Sequence, residues 1–292
     1  MKKSAFFYIA LAGVLWGTSG LFSYWLTPFG FKPVQMTTMR GFVSMVLIVP
    51  FILFKNPKLL KVPKKEIFFI IGSGVGLFLT AYTYYASMAA SSVSTAVILM
   101  YTAPVFVLIY SVMFLGEKLN TVKSVAVFLM ILGCALVSGI VGGMKFSLAG
   151  ILFGIAAGIS YSAYNIFTKI LTMHKVDTLT VTSYNFIIMS IIGLAVANPV
   201  EIVTITSKQP LSIIPLIVGI GVFTCVLPYV FYTMGLKDVP AGTATALGII
   251  EPLYATVFSV AFFGENMTAP HVIGMVLILG AVLLWQDRNN LF

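Results

Sequence analysis

Glu251 and Pro252 stand side by side in the run LGIIEPLYATVFSVAFFGE, residues 247–265, which is otherwise almost wholly apolar. A charged side chain at bilayer depth costs about 2.5–3.5 kcal/mol on insertion scales, so a carboxyl group there faces a cavity, finds a partner or stays protonated. Glu251 could take a proton from one side and release it on the other, or bind an ammonium group. The competing reading is a hydrogen-bonded glutamate that only holds its helix in place. Pro252 lacks a backbone N–H and frees the carbonyl of Gly248, four residues back, as Pro104 frees that of Met100. Freed carbonyls are tolerated inside a bilayer only where protein, side chains or cavity water satisfy them. The two prolines therefore predict helix bends, either beside a cavity or merely curving packed helices, and Gly248 lets a neighbour or ligand come close.

Arg40 is the one cation more than three residues inside an expected span, since Lys123 and Lys169 stand at span ends. It could pair with a substrate carboxylate or with Glu251, or snorkel to the bilayer edge. Aromatic rings suit an amphipathic substrate and can hold a cation through their quadrupole. Of the aromatic and polar side chains within the runs, Trp16, Tyr82, Tyr101, Tyr161 and Asn165 lie deepest and are expected to line a binding site. Tyr84, Tyr85, Tyr164, Tyr229 and Tyr232 lie nearer the run ends, where tyrosines anchor at the interface.

Other chemistry finds less support. GTSG, residues 17–20, matches the G-x-S-G of intramembrane serine proteases with Ser19 as nucleophile, but both histidines, His174 and His271, fall in expected loops. Cys134 and Cys225 show no ligand spacing and read as buried thiols. There is no H-E-x-x-H, Walker A loop or paired carboxylate site. No catalytic residue, metal or cofactor is expected, and the chain does not read as an enzyme.

The elements that position these residues follow from composition. Sixty per cent of the 292 residues are hydrophobic and nine per cent charged, with a mean hydropathy of +1.06, which marks an integral membrane protein. A bilayer core about 30 Å thick takes roughly 20 apolar residues per helix. Cutting the chain at its charged and Pro-, Asn- and Lys-rich interruptions predicts ten spans at 5–26, 34–54, 66–89, 93–115, 121–141, 147–171, 178–198, 211–236, 241–263 and 270–286. These runs are too long and uniform for the alternating strands of a barrel. The connecting loops leave no room for a soluble catalytic or nucleic-acid-binding domain. With a cytoplasmic N-terminus, thirteen of the seventeen Lys and Arg fall inside, three outside, and Arg40 within a span. The positive-inside rule thus accounts for the net charge of +9 without a nucleic-acid partner, and puts both termini in the cytoplasm. The start MKKSAFFYIALAG has the outline of a signal peptide, yet its apolar run continues to about Trp25 and reads as the first span.

Setting residue i beside i+148 aligns the fourth and ninth spans without a gap from Ser94 to Glu117, with nine identical pairs that include Pro104/Pro252, Gly116/Gly264 and Glu117/Glu265. A shift of 145 brings Gly13 opposite Gly158 and Arg40 opposite Asn185. The chain therefore divides into residues 1–144 and 145–292, each with five spans. An odd number forces the second half to enter from the opposite side, giving an inverted-topology repeat. Gly13 and Gly17, with Gly150, Gly154 and Gly158, are small residues one turn apart that allow close helix packing. Glu117 and Glu265 each follow a glycine and precede a new helix, where an acid favours the helix N-terminus.

Ten spans in two halves, Leu15-Trp16-Gly17 in the first span, Pro104 with Gly116-Glu117 in the fourth, and Glu251-Pro252 with Gly264-Glu265 in the ninth resemble the EamA-type branch of the drug/metabolite transporter superfamily. The resemblance spans the whole chain. It implies a central cavity lined by the first, third, fourth, sixth, eighth and ninth spans. It also implies transport of a small organic metabolite. With the inverted repeat, the chain reads as a secondary transporter of an amino acid, amine or drug-like molecule that works by alternating access across the plasma membrane. Glu251, from its own setting, reads as the residue that couples to protons or binds substrate. An uncoupled channel or facilitator, or a lipid flippase, would share the architecture.

Overall fold

The computed structural model of the chain describes residues 3–103, 105–106, 110, 113, 121–137, 147–236 and 250–289. Among these the backbone is helical, with short turns and no β-strand. That is one of the two ways a backbone can satisfy its own polar groups in hydrocarbon. The α-helices are α1 (Lys3–Gly17), α2 (Ser19–Leu26), α3 (Pro33–Lys55), α4 (Ile67–Ala90), α5 (Val93–Met100), α6 (Thr121–Val137), α7 (Leu148–Met173), α8 (Thr178–Val196), α9 (Pro199–Lys208), α10 (Pro210–Gly221), α11 (Leu227–Leu236), α12 (Ile250–Phe263) and α13 (Ala269–Asn289). Six stretches are long and apolar enough to cross a membrane: Phe7–Phe29, Pro33–Lys55, Lys64–Ala90, Leu148–Leu171, Thr178–Val196 and Pro210–Tyr232. Ser124–Gly133, Tyr254–Phe263 and Ala269–Ala281 are shorter apolar helices.

Most helix limits fall within a few residues of the expected spans, and the departures have local causes. The first span is split at Thr18, where Thr18 Oγ1 and Ser19 Oγ donate to the carbonyls of Leu15 and Trp16 at 2.6 and 2.7 Å and compete with the helix ladder. The eighth contains a π turn, Val222–Val226, between α10 and α11. Residues 199–208, read as a loop, form α9. Asn198, at φ 50°, accepts the Glu201 N–H on Oδ1 at 3.3 Å, and Pro199 takes the first helical position. The fourth span starts as α5, capped by Ser92 Oγ on the Thr95 N–H at 3.1 Å; α5 ends at Met100, and a turn at Tyr101 and Thr102 precedes the helical Ala103. Pro104 and Gly248 lie outside the described residues, so the bends expected from them have no description. Pro252 stands, buried, in the first turn of α12.

The helices pack in a reciprocal pattern. α1 rests on α11 and α12 as α7 rests on α4 and α5; α3 lies against α8 and α10 as α8 lies against α3 and α4; α6 pairs with α13, and α5 meets α12. Small residues make the closest approaches. A Cβ on Gly76 would stand 2.9 Å from the Tyr164 nitrogen, one on Gly17 3.1 Å from the Ala255 nitrogen, and one on Gly154 2.6 Å from Leu99 Cδ1. Gly17 and Gly76 thus meet the backbone of the facing helix and Gly154 receives the Leu99 side chain, approaches that a larger side chain would prevent.

Candidate functional site

The interruption of α5 assembles the site. At its end the Tyr101 N–H reaches back to the carbonyls of Val97 and Ile98 at 3.2 and 3.1 Å, and Thr102 Oγ1 donates to the Leu99 carbonyl at 2.7 Å. Ser162 Oγ, on α7, donates to the Ala103 carbonyl at 2.8 Å. Hydroxyls thus add to the hydrogen bonding of the carbonyls around the turn at Tyr101 and Thr102, where the Thr102 N–H also reaches the Leu99 carbonyl at 3.1 Å. Tyr101, at the break, turns to α12, and its hydroxyl donates to Glu251 Oε2 at 3.0 Å. α1 approaches the same turn of α12, where a Cβ on Gly17 would stand 3.2 Å from the Glu251 carbonyl oxygen.

Around this pair stands an aromatic wall drawn from three helices. Trp16 of α1 meets Tyr229 edge to face at 5.7 Å and Tyr232 at 5.6 Å, both on α11. The Tyr229 and Tyr164 hydroxyls are 3.4 Å apart, and Tyr164 stacks on Tyr161 at 6.0 Å, both on α7. Tyr161 has Asn165, one turn on along α7, as a polar neighbour of its hydroxyl. Trp16, Tyr101, Tyr161, Asn165, Tyr229 and Glu251 are all half-buried, so each keeps accessible surface.

Arg40 forms a second pole. It does not snorkel: its Nη2 donates to the Thr224 carbonyl at 2.9 Å and its Nε to Cys225 Sγ at 2.7 Å. Both acceptors lie in the π turn, whose register shift alters the helix ladder there. Ser44 Oγ donates to the Arg40 carbonyl at 2.8 Å and reaches the Gly221 carbonyl at 3.3 Å, tying α3 to the same turn. Tyr85, wholly buried on α4, has Arg40 and Ser19 as polar neighbours. Tyr84 is buried beside Tyr85, with ring centres 5.9 Å apart. Arg40 and Glu251 do not form an ion pair.

Trp16, Tyr101, Tyr161, Asn165, Arg40 and Glu251 are thus brought into one neighbourhood. Tyr82 stacks on Phe78 at 6.4 Å and meets Phe153 edge to face at 6.5 Å, against the same apolar cluster that Tyr164 and Tyr229 touch. Two residues along a helix is about 200° around it, so Tyr82 lies on a different face of α4 from Tyr84. The tyrosines that sequence reasoning assigned to the interface, Tyr84, Tyr85, Tyr164 and Tyr229, belong to the interior instead. A signal for two of them was present: Ala81, Tyr84, Tyr85 and Met88 recur at helical spacing and all four are buried.

The remaining residues of chemical interest have partners elsewhere. Ser19 Oγ is engaged with the Trp16 carbonyl, and His174 Nδ1 meets Glu66 Oε2 at 2.7 Å. Glu265 was expected to favour the helix that follows it. Instead its carboxylate accepts the Val93 N–H at 2.9 Å and Ser94 Oγ at 2.8 Å, at the start of α5. Glu117 and Cys134 are not covered: Glu117 lies outside the described residues, and nothing is described of the Cys134 side chain. Among the described residues no three His, Cys, Asp or Glu side chains could hold a metal ion.

Comparison with known proteins agrees with this architecture. The model of the EamA-like transporter family matches twice, over residues 3–139 and 148–285. A protein of Archaeoglobus fulgidus named as an uncharacterized transporter is 29% identical over 280 residues, covering 96% of this chain and 95% of its own. One from Clostridium kluyveri, also named as an uncharacterized transporter, is 22% identical over 99% of this chain and 95% of its own. An uncharacterized inner membrane transporter of Salmonella typhimurium, YicL, is 24% identical over 94% of this chain and 93% of its own. A solved crystal structure superposes with a TM-score of 0.65 over the whole of both chains at 18% identity, a likeness of fold alone. With apolar helices long enough to cross a bilayer and a family match over nearly its whole length, the chain is a multi-pass membrane protein that belongs to the EamA-like transporter family.

Proposed function

We propose that the protein is a secondary transporter that moves a small organic metabolite through the plasma membrane by alternating access, with protons coupling through Glu251. The observation that carries this reading is the Tyr101–Glu251 hydrogen bond of 3.0 Å. It joins the two halves of the chain amid aromatic side chains that keep accessible surface. A carboxyl group in that setting can exchange a proton or an ammonium group as access changes sides.

Ten spans in two inverted five-helix repeats, residues 1–144 and 145–292, form the proposed frame, with both termini cytoplasmic. The double match of the family model supports it. So does the reciprocal packing, in which the first helix of either half rests on the third and fourth of the other. Arg40 and Asn185, opposite each other in the repeat, act in parallel ways: Arg40 ties α3 to the turn after α10, and Asn185 on α8 accepts Ser73 Oγ of α4 at 2.7 Å.

The test has two stages. Thermal stabilisation of purified protein across a metabolite library identifies substrates, and flux of the hits into sealed vesicles follows. Accumulation driven by a pH gradient should be abolished in Glu251→Gln while exchange of substrate for substrate survives. Unchanged pH-driven accumulation in that variant refutes the coupling role. Flux that never exceeds the external concentration under any gradient would favour a facilitator.

A further inference from the structure

The turn between α3 and α4 carries Lys55, Lys58, Lys61, Lys64 and Lys65 within eleven residues, and all five are exposed. Its one acid, Glu66, is 1% exposed, meets His174 at 2.7 Å and pairs with Lys65 Nζ at 3.7 Å, so it offsets at most one of the five. The His174 contact joins the turn to the end of α7, which adds the exposed Lys169 and Lys175. The connection is not a single point. Phe69 meets the His174 ring at 5.7 Å and Phe68 meets Phe167 at 6.0 Å, so the end of α7 lies along the start of α4. Besides Glu66, the acid nearby in the chain is Asp177, which spends Oδ1 on the Leu179 N–H at 2.8 Å. Lysines from segments about a hundred residues apart in sequence therefore converge on one end of the bundle.

The turn is also fixed in place. Two 3-10 turns, Pro57–Leu60 and Lys64–Glu66, shape it. Thr180 Oγ1 and Tyr184 Oη of α8 donate to the carbonyls of Leu59 and Leu60 at 2.6 and 2.7 Å. Directly beside the lysines the helices expose large apolar side chains: Phe51 at 53%, Phe54 at 92% and Phe68 at 69%. Rings this exposed belong in acyl chains, which sets the adjacent ammonium groups at headgroup level. Lys55 Nζ already lies over the Phe51 ring, 5.3 Å from its centre, showing how stem and ring share that boundary.

We propose that this end of the molecule is a docking surface for the headgroups of anionic phospholipids in the surrounding bilayer. The positive-inside rule accounts for lysines on one side of a membrane. It does not account for an ordered turn that buries its acid, gathers basic groups from two distant segments and borders them with lipid-facing rings. A polybasic segment beside a membrane helix attracts anionic lipid, each lysine near the surface strengthening association by about fivefold.

The test uses the full-length protein in nanodiscs of phosphatidylcholine, with and without an equal part of phosphatidylglycerol. Native mass spectrometry reads the lipids retained, and thermal unfolding reads stability. Wild type should retain phosphatidylglycerol over phosphatidylcholine and unfold at a higher temperature in its presence. Both effects should fade between about 0.1 M and 1 M salt, as the screening length drops from about 10 Å to about 3 Å. Lys58→Gln/Lys61→Gln/Lys64→Gln/Lys65→Gln should weaken the preference by about tenfold or more, while Lys208→Gln, far along the chain, leaves it unchanged. Equal retention of the two lipids by wild type overturns the proposal even if the fourfold variant fails to fold. So does an undiminished preference in that variant. Stabilisation by inorganic phosphate in pure phosphatidylcholine, matching that by phosphatidylglycerol, would show a free-anion site and also overturn it.

Discussion

At the scale of single residues, the account rests on which side chains share a neighbourhood, and conservative substitutions separate them. Tyr101→Phe removes one hydroxyl that donates to Glu251 and leaves the ring. Losing a hydrogen bond to a buried acceptor costs about 1–3 kcal/mol, so substrate affinity, read by thermal-shift titration, should fall by about tenfold. Tyr82→Phe, at a position packed on Phe78 and Phe153, should leave affinity within about twofold and serves as the control; an equal loss from both variants would contradict the assignment. Arg40→Lys keeps the charge but not the planar fork that reaches Thr224 and Cys225 together. It should lower the unfolding temperature, by about 1–3 kcal/mol of stability, as read in detergent by thermal unfolding. Glu251 itself was legible from the sequence, because an acid in so apolar a run demands a reason. Tyr84, Tyr85, Tyr164 and Tyr229 were not, since depth within a span is a poor guide when the protein interior, not the bilayer edge, receives the side chain.

At the scale of elements, the helix break at Tyr101 and Thr102 is the structural hinge of the site, and Gly158 on α7 makes room for it. A Cβ there would stand 2.7 Å from Thr102 Oγ1 and 3.2 Å from the Leu99 carbonyl oxygen. Gly158→Ala should therefore destabilise by about 1–3 kcal/mol through overpacking and weaken substrate binding by displacing Tyr101. Gly280→Ala on α13, where a Cβ meets nothing within 4 Å, should be neutral or slightly stabilising, because alanine favours a helix by about 1 kcal/mol over glycine. Thermal unfolding of both variants decides this, and equal effects would contradict it. Long helices such as α3, α4, α7 and α8 were readable because length and apolarity alone define them. The π turn, the split at Thr18 and the end of α5 were not, since hydroxyl-to-carbonyl bonds and contacts with other helices fix them. α9 was missed for a simpler reason: Asn198 and Pro199 read as chain interruption, and the same pair is also a helix cap and first residue.

At the scale of the whole molecule, the reciprocal packing joins elements from both ends of the chain around Glu251, so neither half alone contains the site. A hollow between the halves must be reachable by water if a carrier operates there. The direct test is the reactivity of a single cysteine at position 161, placed in a Cys134→Ser/Cys225→Ser background, toward a membrane-impermeant thiol reagent. Sealed vesicles of each orientation are labelled, with Lys208→Cys as a surface control. The account predicts labelling of Tyr161→Cys from both sides, slowed by the transported substrate. Labelling from neither side, while the surface control reacts, would contradict it.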